Sequence, residues 1–259
     1  MEKDDLHIFS IEDIEELLES VKDTYRIISR QIADFSEADI PVHKIKELNK
    51  LRTKISQYEN EIKSRTGSDN NKFEFGSPQK ILFLSANPSN TARLKIDEEV
   101  RKIKNNLKMA DCRDNLKLTQ EWAITAETIM QAILDETPQI VHFSGHGTQE
   151  GIIISDEIGN SNIINDQAIS YLFEIFKESV YCVILNSCYS ENQAKEIKKH
   201  IPFVIGMRSA ITDESAISFS SGFYKAIGAG KDIPFAYKLG IAAIKLEGYK
   251  NHNIPILHD

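Results

Sequence analysis

Apolar residues in the first part of the chain recur every three or four positions. They fall at Ile11, Ile14, Leu18, Val21, Tyr25, Ile28, Ile32 and Phe35, which places them in one stripe along an α-helix. Ser10 followed by Asp13 makes a helix start, and acidic side chains through the first turn suit the helix dipole. The stretch Ser36-Glu37-Ala38-Asp39 breaks the stripe, and Pro41 suits the first turn of a second helix. A second stripe then runs through Ile45, Leu48, Leu51, Ile55, Tyr58 and Ile62. Residues 1–66 are therefore expected to form an antiparallel two-helix hairpin with a coiled-coil-like seam. Two helices bury little surface, so the hairpin either packs on the rest of the chain or offers a face to a regulatory partner or a second copy.

Residues 67–78 are rich in Gly, Ser, Asn and Asp and read as a linker, with Phe73 and Phe75 pinning it to a neighbouring surface. From there the pattern changes to short apolar runs alternating with helical stretches. Strands are expected at residues 81–84, around Leu116 and Leu118, and at 140–144, 180–185 and 203–206. Helices are expected through Ile96, Val100, Ile103 and Leu107, and through Ile129 and Ile133 behind a Thr125 cap. A third runs through Ile169, Leu172 and Phe176 behind an Asn165 cap, and two more lie near 214–227 and 235–246. Strands buried on both faces and separated by helices indicate an α/β domain over residues 79–259, a doubly wound, mainly parallel sheet flanked by helices.

The bulk numbers narrow the function classes. A net charge of −8 argues against a nucleic-acid partner held through phosphates, any local basic patch aside. The acidic start Met1-Glu2-Lys3-Asp4-Asp5 is unlike a secretory signal, and no apolar run is long enough to span a bilayer. Three cysteines, Cys112, Cys182 and Cys188, have no metal-ligand spacing and cannot all pair, so a cytoplasmic location and no metal are expected.

Two strand ends carry chemistry. Ile140-Val141-His142-Phe143-Ser144 runs into Gly145-His146-Gly147, and residues 180–185 run into Asn186-Ser187-Cys188-Tyr189-Ser190. Neighbouring parallel strands lie about 4.8 Å apart, so if these two are neighbours, His146 and Cys188 emerge together on the carboxyl edge of the sheet. A thiol beside an imidazole is a nucleophile beside its base. The glycines allow a sharp turn and close approach to a ligand. Ser190 is expected to cap the next helix, whose N-terminal dipole favours thiolate at Cys188. The Cys188 N–H is also placed to stabilise an oxyanion.

These motifs carry a resemblance. IVHFSGHG, with VILNSCYS placing Cys188 42 residues after His146, resembles the CHAT domain family. That family is a branch of the caspase-like cysteine peptidases, alongside caspases, metacaspases and separase. KILFLSANP and GMRSAITDESAISFSSGFYKAIGAG extend the likeness over residues 80–247. The resemblance implies a caspase-like endopeptidase with His146 as base, Cys188 as nucleophile, and the Gly147 and Cys188 amides as oxyanion hole, with no cofactor. It also implies a specific protein substrate, a gasdermin-like pore-forming protein encoded nearby among the candidates, and a role as effector in bacterial defence or regulated cell death. Nucleic acid and membrane are not expected partners. By the same resemblance the pocket for the residue before the cut draws on residues 87–93, on Asn186-Ser187 and on 208–214. Its candidates are Asp213, Asn186, Arg93 and Arg208, which carry both signs of charge; Asp213 is preferred as a pocket acid, with a helix-capping role as the competing reading.

Other readings stand beside this one. A caspase-like domain can serve as a non-enzymatic scaffold, with the hairpin binding the partner, and a thiol acyltransferase or deamidase uses the same dyad. Cys182 reads as a small core residue, Cys112 as a surface thiol and His142 as a hydrogen-bonded core histidine. His142 and His146 do not share a helical face, so their spacing is not a metal motif. Gly228-Ala229-Gly230-Lys231 reads as a helix-ending turn and not as a phosphate loop.

Overall fold

The structure, a computed structural model, describes residues 6–32, 41–66, 79–110 and 113–259. The expected linker at 67–78, Phe35, the break at residues 36–39 and Cys112 lie outside the described residues. The chain divides into two compact units, residues 1–77 and 78–259.

The first unit is built on α1 (Ile11–Ile32) and α2 (Val42–Thr66). Ser10 N–H and Oγ–H donate to Asp13 Oδ2 at 3.0 and 2.6 Å, and Asp13 N–H donates back to Ser10 Oγ, so the expected start of α1 closes reciprocally. Ile14 and Leu18 of α1 pack with Ile55 and Tyr58 of α2 and with Leu6. Arg52 reaches Tyr25, and Arg65 donates to the Leu6 and Phe9 carbonyls at 2.6 Å, so the helices run antiparallel. Each aliphatic side chain buried in this seam contributes about 1.5–3 kcal/mol. Ile45, expected on the seam, is 41% exposed instead.

In the second unit the strands β1 (Gln79–Ala86), β2 (Leu116–Trp122), β3 (Ile140–Gly145), β7 (Cys182–Asn186), β8 (Phe203–Met207) and β9 (Pro255–His258) form a six-stranded sheet in the order β2-β1-β3-β7-β8-β9. All neighbours are parallel except β8 and β9. A smaller antiparallel sheet, β4 (Gly147–Thr148), β5 (Gly151–Ser155) and β6 (Ser161–Ile164), is inserted after β3. The interleaved helices are α3 (Ile96–Lys108), α4 (Ala126–Glu136), α5 (Asp166–Ile175), α6 (Glu191–Ile197), α7 (Asp213–Gly228) and α8 (Ile233–Leu246).

Side chains alternate across the strands and build two layers. Leu82, Leu84, Val141, Phe143, Val183 and Leu185 face one way, into a core shared with Ile133 of α4, Phe173 of α5 and Ile197 of α6. The other face carries Phe83, His142, Ser144 and Asn186, which meet α3 and α7. The expected mainly parallel sheet flanked by helices is the observed fold. Thr125 and Asn165 accept from the Thr128 and Ala168 amides, as their sequence positions predict. The Gly228-Ala229-Gly230-Lys231 segment ends α7, with Gly230 left-handed at φ 67° and its N–H on the Ile227 carbonyl. The small sheet and β9 were not anticipated from the sequence: their strands are two to five residues long, too short for a pattern of period two to stand out.

Candidate active site

β3 and β7 are adjacent and in register from Ile140 opposite Cys182 to Ser144 opposite Asn186. The chain leaves each strand at the same carboxyl edge, so the loops bearing His146 and Cys188 emerge side by side. β1 lies on the other flank of β3, and the connections after β1 and β3 diverge to opposite sides of the sheet. Such a switch point opens a crevice at the strand ends.

His146 and Cys188 are both half-buried and line one pocket with Glu99, Ser144, Gly145, Asn186, Ser187, Ile211 and Asp213. The loops touch directly. A side chain at Gly147 would place its Cβ 2.4 Å from the Cys188 carbonyl oxygen, so only glycine permits this approach. His146 Nε2 lies 2.6 Å from the Ala92 carbonyl, in the loop after β1. A carbonyl only accepts, so Nε2 carries the proton and the lone pair of a neutral ring is at Nδ1. Ile153 N–H donates to the His146 carbonyl at 3.0 Å, so the inserted sheet holds the histidine's backbone from the other side. Gly147 is paired with Ile152 in the non-hydrogen-bonded register, which points its N–H away from β5. Cys188 Sγ sits 3.8 Å from the Ile211 carbonyl.

After Cys188 the backbone turns through Tyr189, whose φ of 59° is unusual for a residue with a side chain. Ser190 occupies the N-cap position of α6 but makes no side-chain cap. Its hydroxyl points inward, with its one proton shared between the Leu185 and Ser187 carbonyls while it accepts from Met207 N–H at 2.9 Å, so it braces the loop bearing Cys188 against β7 and β8. The expected cap is corrected: a fully buried hydroxyl with three backbone partners holds the turn itself.

The pocket candidates separate. Asp213 and Asn186 line the cavity with His146 and Cys188, whereas Arg93 and Arg208 are exposed and outside its lining. Arg208 is directed at Glu191, with Nε 3.7 Å from Oε2. Thr212 caps α7, which leaves Asp213 as its first residue, and Asp213 Oδ2 accepts from Lys95 N–H at 3.0 Å. Cys182 is fully buried, and burial pushes its thiol well above the ordinary value. His142 is also a core residue, stacked on Phe83 at 4.8 Å and bonded through Nδ1 to Tyr224 OH at 3.1 Å.

Sequence reasoning missed Glu99. It is 3% exposed on α3 and forms the floor of the pocket. Ser144 Oγ, Asn186 Nδ2 and Ser220 Oγ each donate to its carboxylate at 2.6 Å. His142 Nε2 lies 3.2 Å away, off the line of a good hydrogen bond. Burial pushes the Glu99 carboxyl up, but the His142 ring and the serine donors outweigh it and hold the group below the ordinary carboxylate range. The signal was present: a charged residue sits inside the apolar stripe of Ile96, Val100 and Ile103. Among the described residues no cluster of side chains could hold a metal, and no helix is long and apolar enough to cross a membrane.

No family model matches the chain. It is 27% identical over 194 residues to a probable protease of Gillisia limnaea, covering 68% of this chain and 34% of that protein. It is 24% identical over 194 residues to a Roc-COR-CHAT protease of an unknown prokaryotic organism, covering 69% and 18%. The chain thus spans about a third of one curated relative and under a fifth of the other. Among solved structures, the Arg-specific cysteine proteinase gingipain R aligns with a TM-score of 0.49 at 11% identity, covering 68% of this chain and 44% of that one. The Drosophila initiator caspase Dronc aligns with a TM-score of 0.46 at 8% identity, covering 70% and 79%.

Proposed function

We propose that this chain is a cysteine endopeptidase in which Cys188 is the nucleophile and His146 the general base. The observation that carries the reading is the single pocket lined by both side chains, at the ends of adjacent parallel strands. The two protease relatives support the same class.

In this mechanism the Ala92 carbonyl holds the Nε2–H of His146, and Nδ1 takes the proton of Cys188. The thiolate adds to the carbonyl carbon of the scissile peptide, and the oxygen that gains charge is met by the Gly147 and Cys188 amides. His146 then returns the proton to the leaving amine as the C–N bond breaks, which leaves a thioester on Cys188. Water, deprotonated by His146, releases the acyl product and restores the thiol. The step needs no metal or organic cofactor.

The residue before the cut is basic on this reading. The Asp213 carboxylate lines the cavity, Asn186 Oδ1 is buried there without a partner, and the Lys95 ammonium is turned to Glu214 at 2.7 Å. In the cell the substrate is a specific protein in a reducing cytoplasm. A gasdermin-like substrate and a defence or cell-death role extend the reading by resemblance to the CHAT family.

A peptide library varied at the residue before the cut, with products read by mass, tests this. Splitting of the chain after Arg or Lys by wild type, and none by Cys188→Ala, is expected. Equal splitting by both proteins removes Cys188 from the mechanism, and cleavage after acidic residues removes the basic preference.

A further inference from the structure

We infer that Glu99 is a positioning residue whose buried carboxylate ties the ends of β3 and β7 together and so sets the spacing of His146 and Cys188. The inference rests on the peptidase reading and adds a residue that acts through the dyad without touching substrate.

The argument begins with register. Ser144 and Asn186 are opposite each other at the last paired position of β3 and β7, and the chain runs on from them to His146 and Cys188. Backbone pairing ends there, so the ladder itself does not hold the two loops at a fixed distance. Glu99 supplies the missing cross-tie from α3. Its Oε2 accepts from Ser144 Oγ, and its Oε1 accepts from Asn186 Nδ2, both at 2.6 Å. Hydrogen bonds to an ionised acceptor are short and directional, and a carboxylate receives one strand end on each oxygen in a fixed plane. Ser220 Oγ, also at 2.6 Å, locks the same group to α7.

The position is an unlikely one for stability alone. Glu99 is 3% exposed among Ile96, Val100 and Ile103, where an apolar side chain would avoid the desolvation of a charge. It is equally unsuited to hold a substrate cation by itself, because three protein donors already occupy its oxygens. What the carboxylate can do that an apolar residue cannot is couple two strand ends that each lead to a reacting group. Displacement of such groups by about 1 Å costs on the order of a hundredfold in rate.

The tie needs a hydrogen-bonding group on α3 for each strand end. In Glu99→Leu neither Ser144 Oγ nor Asn186 Nδ2 finds an acceptor there and the tie breaks. In Glu99→Gln the amide oxygen can still accept from Asn186 Nδ2 and Ser220 Oγ while the amide N–H donates to Ser144 Oγ, so the tie is kept without the charge.

The test uses the full chain and iodoacetamide at pH 7.5, with the alkylation rate at Cys188 followed by peptide mapping and circular dichroism recording the folded fraction. Per folded molecule, Glu99→Leu and Ser144→Ala are expected to slow Cys188 alkylation by about tenfold or more, and Glu99→Gln to stay within about threefold of wild type. A merely structural role would lower the melting temperature and leave the rate per folded molecule unchanged. Should Glu99→Leu not fold, Ser144→Ala, which removes a single hydroxyl, decides. Wild-type rates in Glu99→Leu and Ser144→Ala, or a Glu99→Gln variant as slow as Glu99→Leu, overturn the inference. His146→Ala separates the two levels: slow alkylation there beside a normal rate in Glu99→Leu sinks the tie and leaves the dyad. A normal rate in His146→Ala sinks both.

Discussion

Gly147 and Cys188 are in backbone contact, with room at position 147 for a hydrogen but not for a methyl group, since an added Cβ would lie 2.4 Å from the Cys188 carbonyl oxygen. This contact joins the histidine loop to the cysteine loop one residue beyond His146, which lines the cavity with Cys188. The atom in the way is main chain, so it cannot move aside as a flexible side chain would.

Gly147→Ala is therefore expected to push the two loops apart. Overpacking of this kind destabilises by about 1–3 kcal/mol. Denaturant unfolding reads the stability loss, and alkylation of Cys188 on the folded protein reads the change at the site, expected to fall by about tenfold or more. An alanine variant with wild-type stability and reactivity would show that the loops are not held in this contact.

The two described cysteines separate by burial. Cys182 is fully enclosed on β7 and burial raises its thiol, whereas Cys188 is half-exposed at the pocket. Iodoacetamide at neutral pH should modify Cys188 in the folded protein and reach Cys182 only after denaturation, as peptide mapping would show. Native labelling of Cys182 would contradict the packing of the sheet.

The strand ends were legible because their chemistry is local. Gly145-His146-Gly147 and Asn186-Ser187-Cys188 each follow an apolar run, and a parallel sheet puts both at one edge. Glu99 was not legible in the same way. Its partners Ser144, Asn186 and Ser220 lie 45, 87 and 121 positions along the chain, and only the folded sheet brings them together. Ser190 misled for a related reason. A serine ahead of a helix normally caps it, but here β8 supplies the Met207 amide and the carbonyls of residues 185 and 187 compete for the hydroxyl. Strand β9 pairs with β8 from the far end of the chain, so nothing near it in sequence marks the pairing.

Acid should reveal Glu99. Its folded value lies below its unfolded one, so its ionised form contributes stability that is complete above about pH 4.5 and is lost as the pH falls through the depressed value. Urea midpoints should drop as the pH falls below about 4.5 in the wild type, and the drop should be shallower in Glu99→Gln, which has no proton to bind there. Parallel acid profiles in the two proteins would contradict a buried carboxylate with a lowered value.

Thr137 ends α4 in the left-handed conformation, with φ 43° and ψ 59°. Holding a residue with a Cβ there costs about 1–2 kcal/mol, against the smaller entropic cost of glycine. Thr137→Gly should gain about 0.5–1 kcal/mol and raise the melting temperature of the second unit by roughly 1–4 °C, read by calorimetry. A lower melting temperature would mean that the distant contact from Lys80 Nζ, at 3.5 Å, outweighs the strain.

Covalent capture by a peptidyl electrophile with Arg at its reactive end tests the pairing of His146 with Cys188 most directly. Mass spectrometry of wild type, His146→Ala and Cys188→Ala after exposure to an arginyl acyloxymethyl ketone reads it. The expected result is one adduct on Cys188 in the wild type, none in Cys188→Ala and capture slowed by at least about a hundredfold in His146→Ala. Capture at an undiminished rate in His146→Ala, or an adduct formed elsewhere, would contradict the pairing.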